Sequence, residues 1–260
     1  MTAAGAERFV LNHVRRGSGE PLVLIHPLGG ELVVWEPLLD LLARERDVIA
    51  VDLPGFGGSA PLSNGARPTP QLLAGSVAAF LDRLGIERAH VAGNSLGGWV
   101  ALELAKAGRA LSVTGLSTAG LWKRPLGPRP GADVRRIGRR LLPLLPVLLR
   151  SVRGRRLLLR SSVGHPERVP PAAAFRLVRS YVTSPGFEGA NAAMRAAVFS
   201  GVDQIRVPVT LAWAELDRLV RRPRESAPGW DTLLLRGCGH IPTWDDPVQV
   251  AGVLLRASAR

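Results

Sequence analysis

The chain has little cysteine, tyrosine, methionine or lysine: one, one, two and two residues among 260. The single Cys238 cannot close an internal disulfide, and no Cys or His stands near it at metal-ligand spacing. A disulfide-stapled secreted scaffold and a zinc site are therefore not expected. Long hydrophobic runs are missing too. The longest, "LLPLLPVLL" at 141–149, is far below the roughly 20 residues that span a bilayer. The opening "MTAAGAERFVLNHV" lacks a basic segment followed by an apolar one, so no secretory signal is read there. These absences lead us to expect a soluble, cytoplasmic protein. At 46% apolar residues, the chain is long enough to bury a substantial core without cross-links.

What is abundant is positive charge, a formal +13. Spread along a surface, it would suggest a nucleic-acid partner. Here it is confined. Residues 121–180 hold fourteen arginines and one lysine against one aspartate and one glutamate. That excess of thirteen equals the whole net charge, so the remainder is neutral and no nucleic acid is expected as partner. A GC-rich coding sequence accounts for arginine in place of lysine, but not for the confinement.

Six short apolar runs bounded by turn residues read as strands: "PLVLIH" (21–26), "DVIAVDL" (47–53), "AHVAGN" (89–94), "LSVTGLS" (111–117), "VPVTLAWA" (207–214) and "DTLLLRG" (231–237). Runs apolar on both faces suit a parallel sheet covered by helices on both sides. Segments with helical spacing lie between them: "VVWEPLLDLLARE", "TPQLLAGSVAAFLDRLG", "LGGWVALELAKAG" and finally "DPVQVAGVLLRAS". The alternation predicts an α/β sheet with right-handed crossovers. "FVLNHVRRGSGEP" is expected to open with a strand that turns at Gly17-Ser18-Gly19 and pairs antiparallel at the edge.

Between residues 120 and 200 nine prolines break the alternation into short helical pieces. The segment is too apolar for disorder and reads as an insertion. In it Ile137, Leu141, Leu144, Leu145 and Leu148 fall on one helical face, with Arg135, Arg136, Arg139 and Arg140 largely on the other. The expected organisation is a core from 1–119 and 201–260 with 120–200 inserted.

The stretch "VAGNSLGGWVALELA" (91–105) sets a serine between two glycines where strand gives way to helix. G-x-S-x-G in that context is the nucleophile elbow, a strained turn that exposes the serine hydroxyl at the carboxyl edge of a sheet. Gly93 and Gly97 keep the crossing clear of side chains, and the helix start leaves the backbone N–H of Leu96 to meet an oxyanion beside Ser95. A serine needs a base, and the pattern predicts an acid and then a histidine downstream. His240, in "RGCGHIPTWDDP", follows the last predicted strand on a glycine-flanked loop. His13, His26 and His90 precede Ser95, and His165 lies in the insertion. Asp217 in "LAWAELDRLV", after the penultimate strand, is the candidate acid, with Glu215 as the alternative. Asp245 and Asp246 are expected to cap the last helix. After "PLVLIH" the loop His26-Pro27-Leu28-Gly29-Gly30 offers the N–H of Leu28 as the second oxyanion donor, since Pro27 has none.

With these motifs in order, "LVLIHPLGG", "VDLPGFGGS", "VAGNSLGGWVALELA", "LAWAELDRLV" and "GCGHIPTWDDP", nearly the whole chain resembles the α/β-hydrolase-fold serine hydrolases of the cofactor-free, lid-bearing kind. The resemblance implies an eight-stranded, mostly parallel sheet, the 120–200 insertion as a cap over the site, and no cofactor or metal. "DLPGFGGS" becomes a structural turn beside the entrance, and His26, Trp35, Asn94, Trp122 and Ile241 are candidate pocket residues. Haloalkane dehalogenases and epoxide hydrolases of similar sequence use aspartate where Ser95 stands. Hydroxynitrile lyases use a lysine near the histidine, and none lies near His240. His26-Pro27 departs from the His-Gly of many relatives. The expected activity is hydrolysis of a carboxylic ester or related acyl compound. Alternatives are C–C hydrolysis of the meta-cleavage-product type, acyl transfer or thioester hydrolysis, and ligand binding without turnover. "GNS" favours the first of these, while Ile241 in place of an aromatic after the histidine counts against it. For the basic insertion an anionic acyl substrate, an anionic membrane surface, an acidic carrier protein and a plain solvated face all stay open.

Overall fold

The computed structural model describes residues 10–128, 132–224 and 227–259, without the side chains of 64, 132 and 133. Seven strands form one sheet: β1 His13–Arg16, β2 Pro21–Ile25, β3 Asp47–Val51, β4 Ala89–Asn94, β5 Ala110–Leu116, β6 Val209–Ala214 and β7 Asp231–Leu235. Their order is β1-β3-β2-β4-β5-β6-β7. All neighbours are parallel except β1, which runs antiparallel to β3 at one edge. Each of the six predicted runs supplies one strand. Seven strands, and not the expected eight, are found among the described residues. β1 occupies one edge, β7 the other, and the chain passes from β7 into its last helix, leaving no described segment to pair further.

The central strands β3, β4 and β6 are buried at every residue, which is why their sequences are apolar on both faces. Helices α2 Pro70–Arg83 and α3 Leu96–Lys106 contribute to the core on one face, and α1 Glu36–Leu42 and α9 Pro247–Ala257 to the core on the other. The starts of two helices are written in the sequence. Thr69 accepts the N–H of Leu72 ahead of Pro70, and Asp246 accepts the N–H of Gln249 ahead of Pro247. Asp245 does not cap α9 as expected; its oxygens are used elsewhere, as described below.

Among the described residues between β5 and β6 lie five α-helices: α4 Ala132–Arg140, α5 Leu145–Arg150, α6 Val152–Leu159, α7 Pro171–Thr183 and α8 Phe187–Arg195. Pro143 and Pro146 fall between α4 and the body of α5, so the residues read as one amphipathic face are divided among separate elements. Of that apolar set Leu145 is buried, whereas Ile137, Leu141, Leu144 and Leu148 are exposed. Arg135, expected opposite, is only 1% exposed. It donates to the carbonyls of Tyr181 and Ser184 at 2.8 Å and to Glu188 Oε1 at 2.6 Å, and lies over the Phe187 ring. Arg139 donates to the Val182 carbonyl at 2.7 Å. Two arginines thus fasten α4 to its neighbours, and its aliphatic residues face outward.

Candidate active site

Parallel strands deliver their following loops to one edge of the sheet, and β2, β4, β6 and β7 bring the singled-out segments there. The sharpest bend follows β4. Ser95 has φ 56° and ψ −113°, a conformation that costs a non-glycine residue about 1–3 kcal/mol. It is held from both sides. Its N–H donates to the Leu116 carbonyl at 2.8 Å, and its carbonyl accepts from Ala119 at 3.0 Å and Trp99 at 3.2 Å. The flanking glycines are required by contact. A Cβ on Gly93 would lie 2.1 Å from the Gly97 carbonyl oxygen, and one on Gly97 would lie 2.1 Å from that of Ile25.

After β6, Asp217 turns inward. Oδ1 accepts the N–H groups of Leu219 at 2.7 Å and Val220 at 2.9 Å, and Oδ2 lies 2.8 Å from His240 Nδ1. Burial alone would raise this carboxyl, but the hydrogen bond and charge of His240, with the two backbone donors, outweigh it and hold Asp217 below the usual carboxylate range. An ionised carboxylate only accepts, so Nδ1 carries the proton of this contact. Glu215 takes another part, accepting the N–H of Gly237 at 2.7 Å.

Ser95 and His240 line one cavity of about 730 Å³. Leu28, Trp122 and Ile241 line it as well, and helices α4, α7 and α8 contribute Val134, Tyr181, Phe187 and Met194. Leu28 sits in a tight turn closed by Gly30 N–H donating to the Pro27 carbonyl at 2.9 Å, with Gly29 at φ 75° where this turn needs a positive value. Leu96 is the first residue of α3, where a helix has no acceptor for its N–H.

Three expected pocket residues lie elsewhere. His26 is fully buried beneath the loop; its Nε2 accepts the Leu53 N–H at 2.9 Å and its Nδ1 lies 2.8 Å from the Pro27 carbonyl. Burial keeps its pKa below that of free histidine against the pull of Asp52. It is a strut between two loops. Trp35 packs entirely into the core shared by α1 and α9, because the turn Leu32–Trp35 presents its apolar side to the sheet. Asn94 is buried behind Ser95, where its Nδ2 donates to the carbonyls of Leu116 at 3.0 Å and His240 at 2.9 Å. The "DLPGFGGS" turn is held by Asp52, which accepts from Leu32 N–H, Gly58 N–H and Asn12 Nδ2.

Asp245, expected to cap the last helix, has a different part. Buried Asp245 accepts the N–H groups of Gly239 at 2.7 Å, Gly164 at 2.9 Å and His165 at 2.6 Å. It ties the loop that carries His240 to the segment between α6 and α7, and the Ile241 N–H adds a bond to the Ser162 carbonyl at 2.7 Å. Two adjacent aspartates before a proline signal a cap, and only the fold reveals that one of them points back.

Comparison with known proteins agrees with this architecture. Residues 22–253 match the model of the alpha/beta hydrolase family.

The chain belongs to that family.

It is 45% identical over 127 residues to the dihydrolipoyllysine-residue acetyltransferase component of the acetoin cleaving system of Cupriavidus necator, across 45% of this chain and 33% of that protein. The chain thus spans about a third of that relative's length. It is 31% identical over 198 residues to the epoxide hydrolase EphH of Mycobacterium tuberculosis, covering 70% of this chain and 92% of that one. The solved structure of wild-type Cfl2 from Burkholderia cenocepacia shares the fold, with a TM-score of 0.73 at 21% identity over 95% of this chain and 92% of that one. Among the described residues no group of His, Cys, Asp and Glu is placed to hold a metal ion, and no helix is long and apolar enough to cross a membrane.

Proposed function

We propose that the protein is a serine hydrolase that cleaves a carboxylic ester or related acyl compound through an acyl-enzyme. The observation that carries the reading is the 2.8 Å contact of His240 with Asp217, on a histidine that shares a cavity with the strained Ser95. Serine at the elbow supports acyl chemistry over the epoxide opening named for EphH, because the epoxide hydrolases that this sequence resembles carry aspartate there.

The roles follow from the donors and acceptors present. His240 Nε2 accepts the Ser95 proton as Oγ attacks the substrate carbonyl, and Asp217 fixes the tautomer and stabilises the imidazolium that forms. The N–H groups of Leu28 and Leu96 meet the oxyanion; one such donor is typically worth about 3–4 kcal/mol in the transition state. Collapse expels the alcohol with the proton from His240. Water then attacks the acyl-Ser95 ester, with His240 as base, and releases the acid. The apolar wall of Leu28, Trp122, Val134 and Met194 suits the hydrocarbon part of an acyl group.

The test is labelling with a serine-reactive phosphonate, followed by turnover of a panel of esters, thioesters and vinylogous 1,5-diketones. Wild type is expected to label once, at Ser95, and to turn over an ester. Ser95→Ala should fold normally and lose both labelling and nearly all turnover. Labelling at another serine would reassign the nucleophile. Turnover of the diketones alone would move the reaction to carbon–carbon cleavage.

A further inference from the structure

Helices α4 to α6 and the turns between them present a surface unlike the rest of the molecule. Of the seventeen large hydrophobic side chains exposed among the described residues, nine fall between Val134 and Leu158. Ile137 is 56% exposed, Val147 67% and Leu157 68%. Single exposed aliphatics are ordinary on a soluble protein, but a concentration of them marks an interaction site. The residues beneath show that the outward pose is built in. Arg135 and Arg139 hold α4 down through the carbonyls of Tyr181, Val182 and Ser184, and Leu145, Leu149 and Leu159 anchor α5 and α6 in the core. The aliphatic side chains cannot turn inward without breaking that set.

The same stretch is one-sided in charge. From residue 134 to residue 166 there is no aspartate or glutamate, and Arg136, Arg140, Arg150, Arg153 and Arg160 are exposed among the aliphatics. A second copy of this chain is a poor occupant, since a two-fold contact would set arginine against arginine. A protein partner ordinarily meets a rim of mixed donors and acceptors and an interface rich in aromatics. This face offers branched aliphatic side chains, two prolines and Ser151 with guanidinium groups between, and no aromatic or acidic residue from 134 to 160. Arginine stems lying along apolar surface, with their heads reaching phosphate, and leucine-type side chains entering the acyl boundary are the pattern of a segment lying in a lipid interface.

We infer that α4–α6 dock this protein on the surface of an anionic lipid bilayer. The helices lie on the membrane and do not cross it, in accord with their lengths of nine, six and eight residues. Val134, at the edge of the docking face, also lines the cavity that holds Ser95. The face therefore adjoins the mouth of the candidate active site, and an acyl chain leaving the bilayer has an apolar path towards it. That delivery rests on the proposed hydrolase activity; the docking itself does not.

The experiment is co-sedimentation of the full chain with phosphatidylcholine vesicles with and without phosphatidylglycerol, at low and high salt. Wild type and Ser95→Ala are expected to bind the anionic vesicles equally, to bind neutral ones about tenfold or more weakly, and to be released by salt. The triple variant Ile137→Ser/Val147→Ser/Leu157→Ser should lose about tenfold or more of the partitioning. Arg136→Gln/Arg140→Gln/Arg153→Gln should lose the preference for anionic lipid. Both triple variants should keep wild-type turnover of a short soluble ester or, failing any turnover, the wild-type melting temperature. Absence of binding to anionic vesicles, or binding unchanged in both triple variants, overturns the proposal. So does a one-to-one complex with an acidic acyl carrier protein, or a dimer in sedimentation velocity, that forms through these residues in place of vesicle binding. Docking and hydrolysis fail separately, because Ser95→Ala binding does not depend on turnover.

Discussion

The carboxylate of Asp217 bridges two kinds of partner: His240 Nδ1 at 2.8 Å on one oxygen, and the N–H groups of Leu219 and Val220 on the other. Three contacts on a buried acid fix both its rotamer and its charge. Asp217→Asn should therefore cut kcat by about 10⁴, since the amide favours the wrong histidine tautomer. Glu215→Gln, whose carboxylate accepts the Gly237 N–H and makes no contact with His240 among the described residues, should stay within about threefold of wild type. Steady-state kinetics of the two variants decide it; a crippled Glu215→Gln with a mild Asp217→Asn would reassign the acid.

The same contacts predict a pH dependence of stability. Asp217 is held below the usual carboxylate value in the folded protein, whereas in the unfolded chain it titrates near about 3.9. The unfolded state thus binds the proton first. The contribution is complete above roughly pH 5 and lost as pH falls through the depressed folded value. Urea midpoints measured from pH 7 to pH 3 should fall more steeply for wild type than for Asp217→Asn; parallel curves would show that the carboxylate carries no such linkage.

Much of this site could be read without coordinates, for a topological reason. Ser95, Asp217 and His240 each follow the carboxyl end of a strand, and a parallel sheet gathers those ends on one edge. Gly93 and Gly97 could be read as well, because a tight crossing excludes side chains whatever surrounds it. His26 and Trp35 lie away from the cavity, and sequence spacing does not tell whether a residue past a strand turns over the edge or back under the loop. Between β5 and β6 the limit is different. Prolines cut the periodicity into pieces of six to nine residues at α4–α6, too short to tell an inward face from an outward one. A buried arginine such as Arg135, satisfied by carbonyls at and just past the end of α7, leaves no trace in the pattern of its own helix.

Asn94 offers a test of positioning apart from chemistry. Its amide joins the end of β5 to the carbonyl of His240 from behind the elbow. Asn94→Ala takes its donor from the buried His240 carbonyl, while that of Leu116 keeps the Ser95 N–H; the cost is about 1–3 kcal/mol, and the loop that orients the imidazole is loosened. Phosphonate labelling should slow by about ten- to a hundredfold while the KM for a short ester changes little. A purely structural role would lower the melting temperature and leave the labelling rate of the folded protein unchanged.

Cys238 is expected to be inert in the native state. It is fully buried, and burial together with the nearby charges of Asp245 and Asp246 pushes its thiol up to about 12. The thiolate is the reactive species, so a disulfide reagent at pH 8 should find essentially none. Modification should appear only with unfolding by denaturant, and its midpoint should match that of the tryptophan fluorescence transition. Rapid stoichiometric reaction of the native protein would show that the His240 loop opens readily.

Gly93→Ala is the sharpest structural prediction, because the contact it creates has nowhere to go. The new methyl would lie 2.1 Å from the Gly97 carbonyl oxygen and 2.5 Å from the Gly98 nitrogen, both backbone atoms of the first turn of α3. That turn cannot retreat, since Gly97 itself stands against the Ile25 carbonyl and α3 is buried along nearly its whole length. Strand and helix must separate by more than an ångström, in a core where even one extra methylene is felt. The expected loss is more than about 3 kcal/mol, read as a fall in the urea midpoint, with phosphonate labelling abolished even where the fold survives. Gly75→Ala, at a helix position with open space around the new methyl, is the control and should be neutral or slightly stabilising. Equal stability of the two variants would mean that the elbow is not the close crossing described.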